Sequence, residues 1–162
     1  MKKLYKDISE ILKTDARYTP AKIAAMLGIK ESDVKGAIEE MEKSGIIVKY
    51  TAIINPEKLE EDKVAALIEV KVTPQRNRGF DAIAEDIHCF KEVKDLYLMS
   101  GGFDLAVLIE GKNLQEVARF VSEKLSVMDT VVGTATHFIL KKYKTEGVVI
   151  DKCEQNRRNI VG

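Results

Sequence analysis

The chain has 162 residues, 45% of them hydrophobic and 32% charged, which suits one ordinary domain or two small ones and excludes a disordered chain. Its 26 basic and 26 acidic residues cancel, which argues against a protein that coats nucleic acid by bulk charge. No apolar run approaches the ~18 residues of a membrane span, and the opening MKKLYKDISEIL turns charged too soon for a signal peptide, so a cytoplasmic protein without membrane attachment is expected.

Three short helices are predicted first. Leu4, Ile8, Ile11 and Leu12 form the apolar face of helix one. Thr19-Pro20 reads as an N-cap followed by a proline whose missing N–H costs nothing. Helix two then runs to Leu27, with Ile23, Ala24 and Leu27 inward, and Gly28-Ile29-Lys30 makes a tight turn. Helix three spans about Glu31 to Ser44, with Val34, Ala37, Ile38 and Met41 recurring at i, i+3, i+4, i+7 and Gly45 as its stop. IIVKYTAII (46–54) is a β-branched stretch that predicts a strand, ended by Asn55-Pro56. Two helices across a glycine turn, then a strand, predict a winged helix-turn-helix over residues 1–55.

PEKLEEDK (56–63) reads as a charged linker. Beyond it the predicted order is strand 64–72, a helix marked by Phe80, Ile83, Ala84 and Ile87, and strands 93–99 and 104–110 around Ser100-Gly101-Gly102-Phe103. A helix follows, opened by an Asn113/Glu116 capping box and carrying Leu114, Val117, Ala118, Val121 and Leu125 inward, and then a strand at 131–140. This is the βαββαβ order of a ferredoxin-like unit over 64–145, giving an α+β chain with a polar tail at 146–162. Both helices would cover one face of an antiparallel sheet. Strands 64–72 and 131–140 are apolar on both faces, so a second copy is expected on the other, making a homodimer.

Chemistry-bearing constellations are few. Cys89 and Cys153 match no zinc or redox spacing, and His88 and His137 have no partners at metal-ligand spacing, so no metal site is expected. Ser100 lacks a G-x-S-x-G context, and Gly101-Gly102 open no helix, so neither a hydrolase nor a dinucleotide cofactor is indicated. Two places remain. On helix three the core positions leave Ser32, Lys35, Gly36 and Glu39 projecting outward, towards a DNA groove if the motif binds DNA. Residues 31–44 nonetheless hold five acids, Glu31, Asp33, Glu39, Glu40 and Glu42. The acids could lie off the DNA-facing side, Glu39 could accept from a cytosine N4, or the module could have lost DNA binding. Lys2, Lys3, Lys6, Arg17, Lys22, Lys30, Lys35, Lys43 and Lys49 are available for phosphates. The second place is the turn Ser100-Gly101-Gly102-Phe103-Asp104, whose glycines let a ligand approach backbone N–H groups, with Asp104 suited to an ammonium and Thr134 and Thr136 offering hydroxyls. The same residues equally describe a hairpin turn whose Asp104 caps a strand end.

IAAMLGI, VKGAIEEMEKSGIIVKYTAIINPEKL, MSGGFDLAVLIEGKNLQEV and VVGTATHFILKKYK together cover most of residues 4 to 144. In these stretches the chain resembles the Lrp/AsnC, or feast/famine, family of transcriptional regulators. The resemblance implies promoter DNA as target, an amino acid as effector, no enzymatic activity, and a dimer that assembles further into tetramers or octamers. It places the effector pocket around the turn at 100–104, at contacts between dimers. Independently of the resemblance, Lys30 and Lys49 are expected near phosphates. Lys30 stands where the family's helix-capping Ser is usual, Ala37 where an Arg is frequent, and Gly102 where an Asp is common. The alternatives are a ligand-sensing oligomer with a degenerate helix-turn-helix, or a subunit similar to siroheme decarboxylases, whose histidine-bearing stretch is not evident here.

Overall fold

The computed structural model describes residues 2–59, 63–74 and 79–150. Part of the predicted linker (60–62) and the tail from 151 onward, Cys153 included, lie outside the described residues. The chain divides into two compact units, Met1–Ile53 and Ile54–Gly162.

The first unit is a three-helix cluster of α1 (Lys2–Thr14), α2 (Pro20–Leu27) and α3 (Glu31–Lys43). Ile8, Ile23, Val34 and Met41 are fully buried, with Ala24 and Ala37 buried beside them. Fully burying each large aliphatic contributes about 1.5–3 kcal/mol, enough to fix the helix faces that the periodicity predicted. Thr19 caps α2 by accepting from the Lys22 N–H, and Gly28 ends it in the left-handed region at φ 66°. Lys30 begins α3 without a side-chain cap. Glu31 and Asp33 stand in that helix's first turn, where negative charge offsets the uncapped N–H groups. Gly45, at φ 73°, turns the chain after α3 and lets the Ile47 N–H reach the Met41 carbonyl at 3.0 Å.

The strand predicted at 46–54 is absent. Residues 48–55 carry no strand or helix, and Val48, Ile46 and Ile54 are exposed. The composition favours an extended chain, but a strand also needs a neighbour to share its hydrogen bonds, and this stretch has none among the described residues.

The second unit opens with a 3-10 turn at Pro56–Leu59, where Asn55 accepts the Glu57 N–H. Then come β1 (Val64–Val72), α4 (Phe80–His88), β2 (Val93–Leu98), β3 (Leu105–Gly111), α5 (Leu114–Phe120) and β4 (Val131–Ile139). All pairings are antiparallel, in the order β2-β3-β1-β4. Ala66, Ile68 and Val70 of β1 sit opposite Ile109, Val107 and Leu105, and this face meets Ile83, Ile87, Val117 and Phe120 of the helices to form the core. The opposite sheet face carries Tyr97, Ala106, Glu69 and Ala135 in one cross-strand row and Leu108, Leu67 and His137 in the next. There His137 Nε2 lies 3.2 Å from a Glu69 carboxylate oxygen.

Two further details differ from expectation. The helix predicted through Leu125 widens after Phe120 into a π turn, Val121–Leu125, in which the Ser126 N–H reaches back five residues to Val121. The tail expected from 146 begins instead inside a hairpin, β5 (Lys144–Thr145) with β6 (Val148–Val149), closed by Glu146 and Gly147 at φ 46° and 79°. Two consecutive positive-φ residues suit the tight hairpin turn, and Gly147 takes the second without steric cost.

Candidate nucleic-acid interface and effector turn

The outer side of α3 follows from its core side. With Val34, Ala37 and Met41 buried, Ser32, Lys35, Gly36 and Glu39 all face solvent. Lys43 is exposed as well and stands at i+4 from Glu39 and i+7 from Gly36, so it shares their side. Sequence reasoning gave it only a phosphate role, although the same spacing rule would have placed it here. Lys30 and Lys49 are exposed at the start of α3 and in the irregular segment after it.

The acids of α3 differ in their surroundings. Glu40 accepts a hydrogen bond from the Tyr5 hydroxyl of α1, and Glu42 accepts one from Tyr50 at 2.9 Å. The Glu40 bond, helped by partial burial, holds the Tyr5 phenol above its ordinary pKa, while at Tyr50 burial comes first and the Glu42 bond second. Ser32 donates weakly to Asp33 at 3.3 Å. Glu39 has no hydrogen bond or ion pair among the described residues. The five acids therefore do not act as one block. Two sit in the first turn as helix-terminal charges, two are bound by tyrosines, and one projects freely.

Not every predicted phosphate contact is uncommitted. The Arg17 guanidinium grips Asp15 through two bonds, 2.9 and 2.8 Å, and lowers that carboxyl to about 2. Lys22 lies 4.3 Å from the centre of the Tyr18 ring. Both remain exposed, but Arg17 would have to leave a bidentate partner to reach a phosphate.

The turn at 100–104 joins β2 to β3. Ser100, Gly101 and Gly102 are exposed, Phe103 is half-buried, and among the described residues a Cβ on either glycine would meet no atom within 4 Å beyond its immediate chain neighbours. Space for an approaching ligand is therefore present at both glycines. Asp104 is committed in part: one carboxylate oxygen accepts the Val72 N–H at 2.8 Å, its own N–H donates to Val70 at 3.1 Å, and its carbonyl accepts from Met99 at 2.8 Å. The strand-capping role is thus real, and one oxygen remains for another donor.

Thr134 and Thr136 do not stand beside this turn. β4 pairs with β1, and β1 lies between it and β3, so the threonines are two strands away, about 10 Å at usual strand spacing. They share the helix-covered face, opposite Val70 and Ile68. Thr134 is at the same sheet end as the turn, because Val70 pairs with both Thr134 and Leu105. The last strand of this topology returns to the far side of the first, which is what separates the threonines from the turn.

Among the described residues there is no cluster of three or more metal-binding side chains, and no helix is long and apolar enough to cross a membrane.

Comparison with known proteins agrees with these two units. Residues 2–48 match the model for a winged helix-turn-helix DNA-binding domain, and residues 65–149 match the Lrp/AsnC ligand-binding domain. The chain is 47% identical over 156 residues to the HTH-type transcriptional regulator YugG of Bacillus subtilis, covering 96% of this chain and 94% of that one. It is 34% identical over 139 residues to the HTH-type transcriptional regulator LrpA of Pyrococcus horikoshii, covering 86% and 96%. Among solved structures it shares its fold with E. coli AsnC, at a TM-score of 0.69 and 19% identity over 90% of this chain and 95% of that one. It likewise resembles the Neisseria meningitidis regulator NMB0573 in complex with L-Met, at a TM-score of 0.71 and 20% identity over 90% and 93%. A buried helix-turn-helix core joined to a βαββαβ unit, with matches across nearly the whole length, makes this chain a helix-turn-helix transcriptional regulator of the Lrp/AsnC family.

Proposed function

We propose that this regulator reads duplex promoter DNA with the outer side of α3 and responds to a small effector, an amino acid, bound at the turn 100–104. The observation that carries the DNA reading is the exposed set Ser32, Lys35, Gly36 and Glu39 on a helix whose opposite side is locked into the first unit's core. Lys35 would reach base edges, and Lys30 and Lys49 would meet phosphates. Each such phosphate contact adds affinity by releasing counterions. Glu39, without a hydrogen bond or ion pair among the described residues, would either accept from a cytosine N4 or repel phosphate. The protein acts in the cytoplasm, where its DNA target lies.

The effector reading rests on the two open glycines, the spare oxygen of Asp104, and the amino acid carried by a regulator of the same fold. Backbone N–H groups of Gly101 and Gly102 would hold a carboxylate, with Asp104 facing the ammonium. The threonines, two strands away, would contribute only to a ligand that extends across β1. The working assembly is a homodimer through the sheet face bearing Leu67, Glu69, Ala135 and His137, with tetramers or octamers built from it.

Capture of genomic fragments by the tagged protein, followed by titration of the recovered duplexes at several salt concentrations, tests the central reading. Specific recovery and a steep fall of affinity with salt support it. Recovery no better than background would leave a ligand-sensing oligomer with a degenerate helix-turn-helix. Thermal shift and calorimetry with the twenty amino acids test the effector separately.

A further inference from the structure

The outer surface of a helix proposed to meet DNA carries Glu39, Glu40 and Glu42, yet among the described residues only the first is without a partner. We infer that Tyr5 and Tyr50 are positioning residues for DNA binding: they hold Glu40 and Glu42 on the opposite flanks of α3, so that the surface of Ser32, Lys35, Gly36 and Lys43 meets DNA with one free carboxylate instead of three. This rests on the reading of α3 as the DNA-contacting helix.

The placement follows from helix geometry. Residues two apart on an α-helix point about 200° apart, so Glu40 and Glu42 stand on opposite sides of the exposed surface. Each meets a tyrosine there, from a different element. Tyr5 comes from α1, 35 residues earlier in the chain, and its ring packs against the first unit's core, which fixes where its hydroxyl can reach. Tyr50 comes from the irregular segment after α3 and donates to Glu42 across eight residues. Both phenols are held above their ordinary pKa, so both stay protonated donors at physiological pH. The carboxylates keep their charge, and what changes is their position. A glutamate side chain sweeps several ångströms, a sizeable fraction of the ~8 Å screening length at physiological salt, so its direction alters how strongly it repels a phosphate. The bonds also fix the glutamates' rotamers, so no side-chain entropy is lost in moving them aside when DNA arrives.

The experiment is a pair of double-mutant cycles, Tyr5→Phe with Glu40→Gln and Tyr50→Phe with Glu42→Gln. Affinity is read by fluorescence anisotropy on a random-sequence duplex and on the best duplex selected from that pool. Phenylalanine keeps each ring, and far-ultraviolet circular dichroism with a melting curve confirms the fold. Each Tyr→Phe change is expected to weaken binding to both duplexes about two- to five-fold, the scale of an exposed charge interaction. The loss should vanish when the partner glutamate is already glutamine. A loss that persists in the glutamine background would overturn the inference, since the hydroxyl would then touch DNA itself. So would unchanged binding in both single variants. Reversing Lys30, Lys35 and Lys49 together tests the underlying reading: if that triple variant binds as well as the parent, α3 is not the contacting helix and both conclusions fall, whereas its failure to bind beside inert Tyr→Phe variants removes this inference alone.

Discussion

Asp104 stands in both roles proposed for its turn, and the two can be separated. Its carboxylate accepts the N–H of Val72, which is 6% exposed, at 2.8 Å. This bond closes the end of β1 where β3 begins. Replacing Asp104 with Ala leaves that backbone donor without its partner in a half-buried place. A hydrogen bond to a charged group is worth about 1.5–3 kcal/mol when lost in this way. For a unit of this size each kcal/mol moves the melting midpoint by about 4–8 °C, so Asp104→Ala should lower it by roughly 6–24 °C. Asp104→Asn keeps an acceptor oxygen for Val72 and removes only the charge, so it should cost well under half as much. The Asn variant should nevertheless lose effector affinity if the carboxylate faces an ammonium, by about tenfold for a contact of about 1.4 kcal/mol. Calorimetric melting of parent and both variants at one fixed protein concentration gives the stability comparison, and effector titration gives the binding one. A midpoint for Asp104→Ala within about 1 °C of the parent would refute the capping argument, and an Asn variant that binds effector as the parent does would refute the ammonium role.

The other expectations concern separate surfaces. Lys35→Ala should weaken binding to the preferred duplex by about 1–3 kcal/mol if it reads a base, whereas Lys49→Ala should lower affinity evenly and flatten the salt dependence, both read from titrations across salt. Glu39→Gln should relax discrimination at one base pair if Glu39 reads cytosine, and tighten all binding uniformly if it only repels phosphate, which a binding-site selection distinguishes. Ala135→Glu places a second acid directly opposite Glu69 on the open sheet face and should shift the protein towards monomer in light scattering at micromolar concentration, while an unchanged mass would remove that face from the interface. Glu92 accepts from Lys124 at 2.8 Å, and this bond, ahead of the opposing effect of burial, holds its carboxyl below the ordinary 4.5. A depressed folded pKa means stability present above that ordinary value and lost as pH falls through the lower folded one, so Lys124→Met should erase part of the acid limb of a stability–pH curve below about pH 4.5.

Much of the fold was legible because its signals are local. Thr19-Pro20, Gly28 and Asn113 each act within four residues of themselves, and the structure uses Thr19 and Asn113 as caps and Gly28 in the left-handed region. The 3.6 spacing of Val34, Ala37 and Met41 and the two-sided apolar pattern of β1 follow directly from burial. Glu116 shows the limit of a local motif: it turns back as predicted, but to the Lys112 N–H, one residue before the cap. What was not legible depends on pairings distant in sequence. The run 46–54 has strand composition, but composition cannot supply a neighbouring strand. Thr134 and Thr136 stand two apart in one strand and so share a face, but only the strand order shows β1 standing between them and the turn. Nothing in the spacing of Tyr5 and Glu40 announces their bond, since it depends on how α1 crosses α3.

The exposed position of the glycine turn constrains any account of signalling. Among the described residues, no atom beyond their immediate neighbours lies near the Cβ positions of Gly101 and Gly102, so one chain offers a ligand only part of a pocket there. Small-molecule sites bury most of a ligand, so under the proposed reading the missing walls would come from another protomer. Under the proposed reading, an effector bound at this turn therefore contacts two chains and stabilises their association by mass action. The reverse holds by linkage: whatever strengthens that association tightens effector binding by the same factor. The DNA response then needs no rearrangement of α3 within its unit. A change in how many helix-turn-helix units are held together alters how many can engage neighbouring sites at once, and that alone changes avidity by large factors. Effector and DNA would be coupled through assembly, so a variant locked as a dimer should bind a single site normally and show no effector dependence on an array of sites.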